Sequence, residues 1–464
     1  MKIAKFFIPL VLMLTGIVPV AGAVPKKFFL KSGDRVCFYG DSITEQRFYP
    51  TEVQTYVLTR FPGLRVRFVN SGVGGDTVTG GWAGTINERL KRDVFPFKPT
   101  VVTIMLGGND AGYCPFSQKR FDVFKRGYEH IIKSLKAHLP GVRIVLLGSS
   151  PYDDVTQPVG FPGGCNGVIL RFNKFTRQLA AKNNLLYVPI NRPMTKVLKE
   201  AYKINPDLAR KFFPGRIHPS PAAAMMQSLA LLKAWGAPAT VTDVSINATD
   251  AKVVDAVNTR ITDLKSTAGT LSWTELDNSL PLPVLALHAK WPQFIRWNVL
   301  NIYQIPQPQP KYTSPVTALV DHLCGFTHQL DREIFTVNGL SASRYRLLID
   351  GKSVGEFSAK QLAHGVNLSR YFTPMLWQAY RVNDMVWEET ELRFVVWHGI
   401  QTAMENYGWP TLGLPVTTEN DSKVAQLVHR IVDNTRRLQR AIAAREFAAN
   451  QPKPHQFELV PVGQ

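Results

Sequence analysis

Between residues 35 and 235, short apolar runs alternate with longer stretches of helical periodicity. Arg35–Tyr39 (RVCFY), Arg65–Asn70 (RVRFVN), Thr100–Leu106 (TVVTIML), Arg143–Leu147 (RIVLL) and Leu185–Pro189 (LLYVP) are β-branched or aromatic runs bounded by Gly, Pro or polar residues, as buried strands are. Helices are predicted over Thr51–Arg60, Asn87–Asp93, Phe121–His138, Asn166–Lys182 and Pro221–Trp235. Strands separated by helices imply a five-stranded parallel sheet covered on both faces. Ligands of such sheets bind beyond the C-terminal strand ends. The loops that leave the strands are therefore where chemistry is expected.

Those loops carry a consistent set of residues. GDSITEQ (Gly40–Gln46) follows the first run, NSGVGGDT (Asn70–Thr77) the second and GGND (Gly107–Asp110) the third; a fourth block, PGRIHPS (Pro214–Ser220), precedes the last helix. Singly these are turn sequences. Jointly, each placed after its strand, they resemble the SGNH, or GDSL, hydrolase family over about the first half of the chain. The resemblance implies a flavodoxin-like three-layer α/β sandwich and a serine esterase that requires no metal or organic cofactor. It also implies Ser42 as nucleophile and His218 as base. The backbone N–H groups of Ser42 and Gly75 and the side chain of Asn109 would form the oxyanion hole, and losing one such donor typically costs about a hundredfold to a thousandfold in rate.

One position departs from the family pattern. Asp-x-x-His is usual there, and this chain has Gly215 in Gly-Arg-Ile-His. Without that carboxylate, three accounts stand: a backbone carbonyl near Pro214 or Gly215 orients the ring, an acid elsewhere does so (Asp153, Asp154 or Asp207), or the site binds without turning over. Ser220 and Pro221 read as N-cap and first position of the next helix, whose positive end favours a neutral imidazole. Arg216 would push the same way or meet an acidic substrate group. Asp153 and Asp154 are alternatively substrate contacts on the rim. Cys114 and Cys165 also fall on rim loops and form a candidate disulfide.

The second half is less regular. Strand-like alternation begins at ATVTDVSINA, a Pro-rich connector (IPQPQPKYTSP) follows, and RYRLLIDGKSVGEFS (Arg344–Ser358) is a hairpin signal turning at Asp350-Gly351. Trp291, Trp297, Trp377, Trp387 and Trp397 are either sugar platforms or core. Ser422–Asn450 places Val424, Leu427, Ile431, Leu438 and Ile442 at near-helical spacing among arginines, an amphipathic helix expected to pack on the body of the protein. The organisation expected is a signal peptide at 1–23, an SGNH domain at 24–238, a mixed α+β accessory region at 239–415 and a basic helical tail at 416–464.

Composition narrows the setting. Met1–Ala23 has Lys2 and Lys5, an apolar run and small residues at Ala21 and Ala23, a signal peptide whose removal leaves no transmembrane span. A periplasmic or secreted enzyme follows. The four cysteines lack CxxC spacing, which argues against zinc. A formal charge of +19 favours anionic partners, and export points to anionic polysaccharide rather than nucleic acid. The expected substrate is an acylated, chiefly O-acetylated, carbohydrate or another small ester. A lipase- or thioesterase-like hydrolase and a catalytically impaired glycan-binding protein are the alternatives.

Overall fold

The computed structural model describes residues 27–284, 314–394 and 418–463. Five strands, β1 (Arg35–Gly40), β2 (Arg67–Gly72), β3 (Val101–Met105), β4 (Arg143–Leu147) and β5 (Leu186–Val188), form one parallel sheet in the order β2-β1-β3-β4-β5. Every residue of β3 is buried, as expected for a strand covered on both faces. One face packs helices α2 (Phe48–Arg60), α5 (Asn191–Ile204) and α6 (Pro221–Ala234), and the other packs α3 (Gln118–His138) and α4 (Gly164–Lys182). This is the three-layer α/β sandwich expected. Helix α5, with Met194, Leu198 and Ala201 on its buried stripe, was not among the predicted helices. The predicted Asn87–Asp93 helix is a single α-turn, Ile86–Arg89, that loosens into a π-turn over Leu90–Val94.

After Trp235 the chain builds two further sheets. Strands β6 (Thr240–Asn247), β7 (Lys252–Val257), β10 (Arg332–Asn338) and β13 (Val366–Asn367) form one, in the order β13-β10-β6-β7. The other, β8-β9-β14-β11-β12, contains β8 (Thr259–Thr267), β9 (Thr270–Asp277), β11 (Arg344–Ile349), β12 (Lys352–Ser358) and β14 (His455–Pro461). Val244, Phe335, Trp273, Leu347 and Phe457 from the two sheets share one core, and Trp273 stacks between Phe335 and Phe457. The hairpin of β11 and β12 turns at Asp350 and Gly351, both at positive φ (51° and 71°), as a two-residue hairpin turn requires.

The C-terminal tail is more than a basic helix. Helix α9 (Thr418–Ala449) is followed by β14, which pairs antiparallel with both β9 and β11 and sits at the centre of its sheet. Of the apolar positions expected to pack, Ile442 is buried, but Leu427, Ile431 and Leu438 are 53%, 42% and 51% exposed. The buried line runs instead through Val432, Thr435, Ala443 and Glu446, one helical step away. Trp387 packs against Phe48, and Trp377 is partly exposed beside Phe372 and Tyr380. Trp291, Trp297, Trp397, residues 305–313 of the Pro-rich connector and residues 1–23 lie outside the described residues.

The accessory region is bolted to the first domain. Helix α8 (Pro374–Arg393) packs on α2, where Thr55 donates to Asn383 at 3.0 Å and Gln54 to Glu389 at 3.2 Å. The buried Arg60 guanidinium reaches Asp331 at 3.1 Å and the carbonyls of Pro238, Thr240 and Leu330.

Candidate active site

Strand order brings the three motif loops together: β2, β1 and β3 are neighbours, so their C-terminal ends open side by side. Where β1 stops, Asp41 caps a single helical turn, α1 (Ser42–Glu45), its carboxylate accepting the Ile43 N–H at 3.0 Å. The turn lies directly on the strand ends. A Cβ on Gly40 would run into Thr44 Oγ1, and one on Gly72 into the Glu45 backbone nitrogen, which is why both strands end in glycine.

His218 comes from the loop before α6, whose N-cap is Ser220 with Pro221 behind it. Its Nε2 lies 2.8 Å from Ser42 Oγ, a hydrogen bond that the hydroxyl donates when Nε2 carries no proton. Burial holds the ring below its ordinary pKa of 6.5, while the Glu45 carboxylate pulls the other way. The ring is therefore mostly neutral at pH 7 and able to accept a proton.

The loops after β2 and β3, which carry Gly75 and Asn109, are equally ordered. Gly75 adopts φ +78°, and no atom would meet a Cβ there, so its backbone faces open space. The loop is pinned by Asp76, fully buried, whose carboxylate accepts from Arg89 Nε at 2.8 Å; Arg89 also holds Asp93 and the Ser71 carbonyl. Burial alone would lower the Arg89 pKa, but Tyr39, Asp93 and Asp76 carry it upward, so the pin stays charged. Asn109 lies in the turn Gly108–Ala111 after β3. Its Nδ2 donates to the Asp76 carbonyl at 2.9 Å and its Oδ1 accepts from Tyr113 at 3.1 Å, which fixes the amide face and leaves a second N–H on Nδ2. The arrangement combines a hydroxyl paired with a neutral imidazole and flanking donors, which suits acyl transfer.

Residues 38–225 match the family model of the GDSL-like lipase/acylhydrolase family. The first domain is therefore of the GDSL hydrolase type. An acetylxylan esterase of Geobacillus stearothermophilus is 28% identical over 224 residues, which cover 44% of this chain and 95% of that relative. Family and relative make it a carboxylic ester hydrolase. A solved structure, described as a gut microbial diltiazem-metabolizing enzyme, superposes with a TM-score of 0.76 at 25% identity, covering 93% of this chain and 98% of that one. The shared architecture thus extends past residue 225, where the family match ends, into the C-terminal sheets.

Several expected roles need correction. Asp153 is spent locally, accepting from the N–H groups of Val155 and Thr156 and the Thr156 hydroxyl. Asp154 accepts the Asn166 N–H in the first turn of α4, and Asp207 is exposed and paired with Arg210 at 2.9 Å. Each of these acids thus has partners of its own away from the His218 ring. Arg216 turns away to Gln157 and the Pro158 carbonyl. Cys114 and Cys165 are free thiols: Cys114 points to the carbonyls of Ala111 and Pro115, and Cys165 is buried in the first turn of α4.

The structure adds two residues that sequence reasoning passed over. Glu45 stands three positions after Ser42 on the same turn, 8% exposed, and a Cβ on Gly74 would sit 2.8 Å from its Oε2 and 3.8 Å from Ser42 Cβ. Its carboxylate is thus beside the Ser-His pair, and the i, i+3 spacing within GDSITE was the available signal. Trp82 donates from Nε1 to the Gly74 carbonyl at 2.9 Å and is 38% exposed beside the loop that carries Gly75.

Proposed function

We propose that the chain is an exported serine esterase that removes O-acyl, chiefly O-acetyl, groups from carbohydrate. The observation that carries this reading is the 2.8 Å contact between Ser42 Oγ and His218 Nε2 beside Gly75 and Asn109. Ser42 attacks the ester carbonyl as His218 takes its proton; the Ser42 and Gly75 N–H groups and the Asn109 amide receive the developing oxyanion. His218 then returns the proton to the leaving alcohol. Water, deprotonated by the same ring, attacks the acyl-serine and releases the acid and free Ser42. Glu45 offsets the positive charge that the imidazole acquires in each half-reaction. Carbohydrate is supported by the acetylxylan esterase relative and by Trp82, a partly exposed indole that donates to the Gly74 carbonyl beside the site.

A second reading is a small non-carbohydrate ester, favoured by the neighbour named for diltiazem metabolism, which shares nearly the whole architecture. Mature protein is assayed on p-nitrophenyl acetate, p-nitrophenyl octanoate and acetylated xylan. Hydrolysis of the acetates that Ser42→Ala lowers by at least a thousandfold supports the reading. Activity unchanged in Ser42→Ala and His218→Ala removes it, and a preference for octanoate makes the protein a lipase-like hydrolase.

A further inference from the structure

Helix α9 presents large apolar side chains to water while burying small and polar ones. Its buried line runs through Val432, Thr435, Ala443 and Glu446, whereas Leu427, Ile431 and Leu438 are 53%, 42% and 51% exposed. At about 100° and 1.5 Å per residue, those three lie within about 40° of one another, in a row about 16 Å long beside the buried line. Apolar side chains scattered singly over a surface need no explanation, but three aligned on one helix mark a contact face.

Arginines frame the row. Arg445 continues it, and Arg430 and Arg437 run along its flank on the side away from the buried line; all three are exposed. From Gln426 to Arg445 the helix has five arginines against one acid, Asp433, and that acid is paired with Arg436 at 3.2 Å. Among the described residues, Arg430, Arg437 and Arg445 make no ion pair. The face is therefore apolar along its row and cationic along its flank, on a chain whose formal charge is +19.

We propose that this face of α9 docks on an anionic phospholipid surface. Leu427, Ile431 and Leu438 would enter the boundary between headgroups and acyl chains, and the arginines beside them would reach the phosphates through their long stems. A second copy of the chain fits less well, because a two-fold contact through this face sets arginine flank against arginine flank. A soluble anionic polymer would meet the arginines but leave the apolar row in water. Among the described residues no helix is long and apolar enough to cross a membrane, so the contact lies on the surface and does not span it. The inference does not rest on the esterase reading.

The test is co-sedimentation of mature protein with vesicles of phosphatidylcholine alone and of phosphatidylcholine mixed equally with phosphatidylglycerol, at low and high salt. Three variants are compared: Leu427→Ser/Ile431→Ser/Leu438→Ser, Arg430→Gln/Arg437→Gln and, as a charge-matched control on the exposed face of α4, Lys174→Gln/Arg177→Gln. Salt-sensitive binding to the mixed vesicles, weakened at least tenfold in both α9 variants and within twofold of wild type in the control, supports the proposal, with p-nitrophenyl acetate turnover the same in all four proteins. No binding to the mixed vesicles, equal binding to phosphatidylcholine alone, or equal loss in the control overturns it. So does full binding by the serine variant, which would mean adsorption by charge alone. A wild-type dimer that the serine variant converts to monomer also overturns it, since a second copy would then cover the row.

Discussion

Gly215→Asp places a carboxylate where the family pattern has one, and the structure accepts it. No atom lies within 4 Å of a Cβ built on Gly215, and its backbone is outside the left-handed region that penalises side chains. The imidazolium formed during attack would gain a charged hydrogen-bond partner. Such a bond contributes about 1.5–3 kcal/mol net, and each 1.36 kcal/mol is tenfold in rate, so turnover could rise roughly 10- to 100-fold. Gly215 is exposed, so solvent screening favours the lower end, about tenfold. The assay is kcat on p-nitrophenyl acetate from pH 5 to 9. His218 titrates below 6.5 in the present protein because of burial, so wild-type activity should persist below that pH. The added carboxylate stabilises the protonated ring, which moves the acid limb upward. Among the described residues Glu45 acts on the ring by charge, and nearby Asp41 and Asp110 are each pushed up to about 7, chiefly by burial, so kcat is compared at pH 8. An acid limb that moves up without any rise in kcat would refute the reasoning, since the carboxylate would then reach the ring without helping the transition state.

Three further outcomes are expected. Trp82→Ala should raise KM for acetylated xylan about tenfold and leave p-nitrophenyl acetate kinetics within twofold; equal effects on both substrates would make Trp82 a loop anchor only. Phe457→Ala, which empties a fully packed position in β14, should destabilise the protein by about 3–5 kcal/mol in chemical denaturation, and a change under 1 kcal/mol would contradict the central place of that strand. Glu333 is buried with Oε2 lacking a hydrogen bond and is held well above the carboxylate range, first by burial and then by Asp277, Asp331 and Glu275. A raised folded pKa means stability present below the unfolded value, about 4.3, and lost as pH rises toward the folded one. Glu333→Gln should therefore raise Tm at pH 8 and leave it nearly unchanged at pH 4; a gain of the same size at both values would point to packing instead.

The hydrolase half was legible because its strands are buried on both faces. Such strands read as continuous apolar runs, so β4 was found to the residue and β1 to within one. The accessory sheets were not legible for a topological reason. Strand β14 alternates cleanly, with Phe457 and Leu459 inward, but its partners β9 and β11 lie far back in the chain and no turn joins them. Hairpins announce themselves through turn residues, as Asp350-Gly351 did; a strand that closes a sheet from the far terminus has no local mark. The stripe on α9 misled for a related reason. Its apolar spacing fits a helix, but the face that packs is set by where α8 lies, and that selects Val432 and Ala443 over Leu427 and Leu438.

The site divides along the same line. Ser42, Gly75 and Asn109 could be placed on loops that leave strands, and His218 just ahead of an N-capped helix, because turns that need glycine, an N-cap or a tight corner leave a readable pattern. An acid that supports the histidine is under no such constraint. It acts through charge, over distances at which any buried carboxylate of the right orientation suffices. A search by the family spacing arrives at Gly215, and a search for nearby acids in sequence arrives at Asp153, Asp154 and Asp207, all of which spend their charge elsewhere. Glu45 belongs to the same turn as Ser42, so the segment that brings Ser42 to His218 also brings a carboxylate beside the ring. On this account Glu45→Gln should lower kcat while shifting the acid limb of the pH profile further down. In Gly215→Asp the same substitution should cost less, because two carboxylates beside one ring substitute for each other. A cost as large in the double variant as in the single one would mean that Glu45 shapes the turn and does not act on the base.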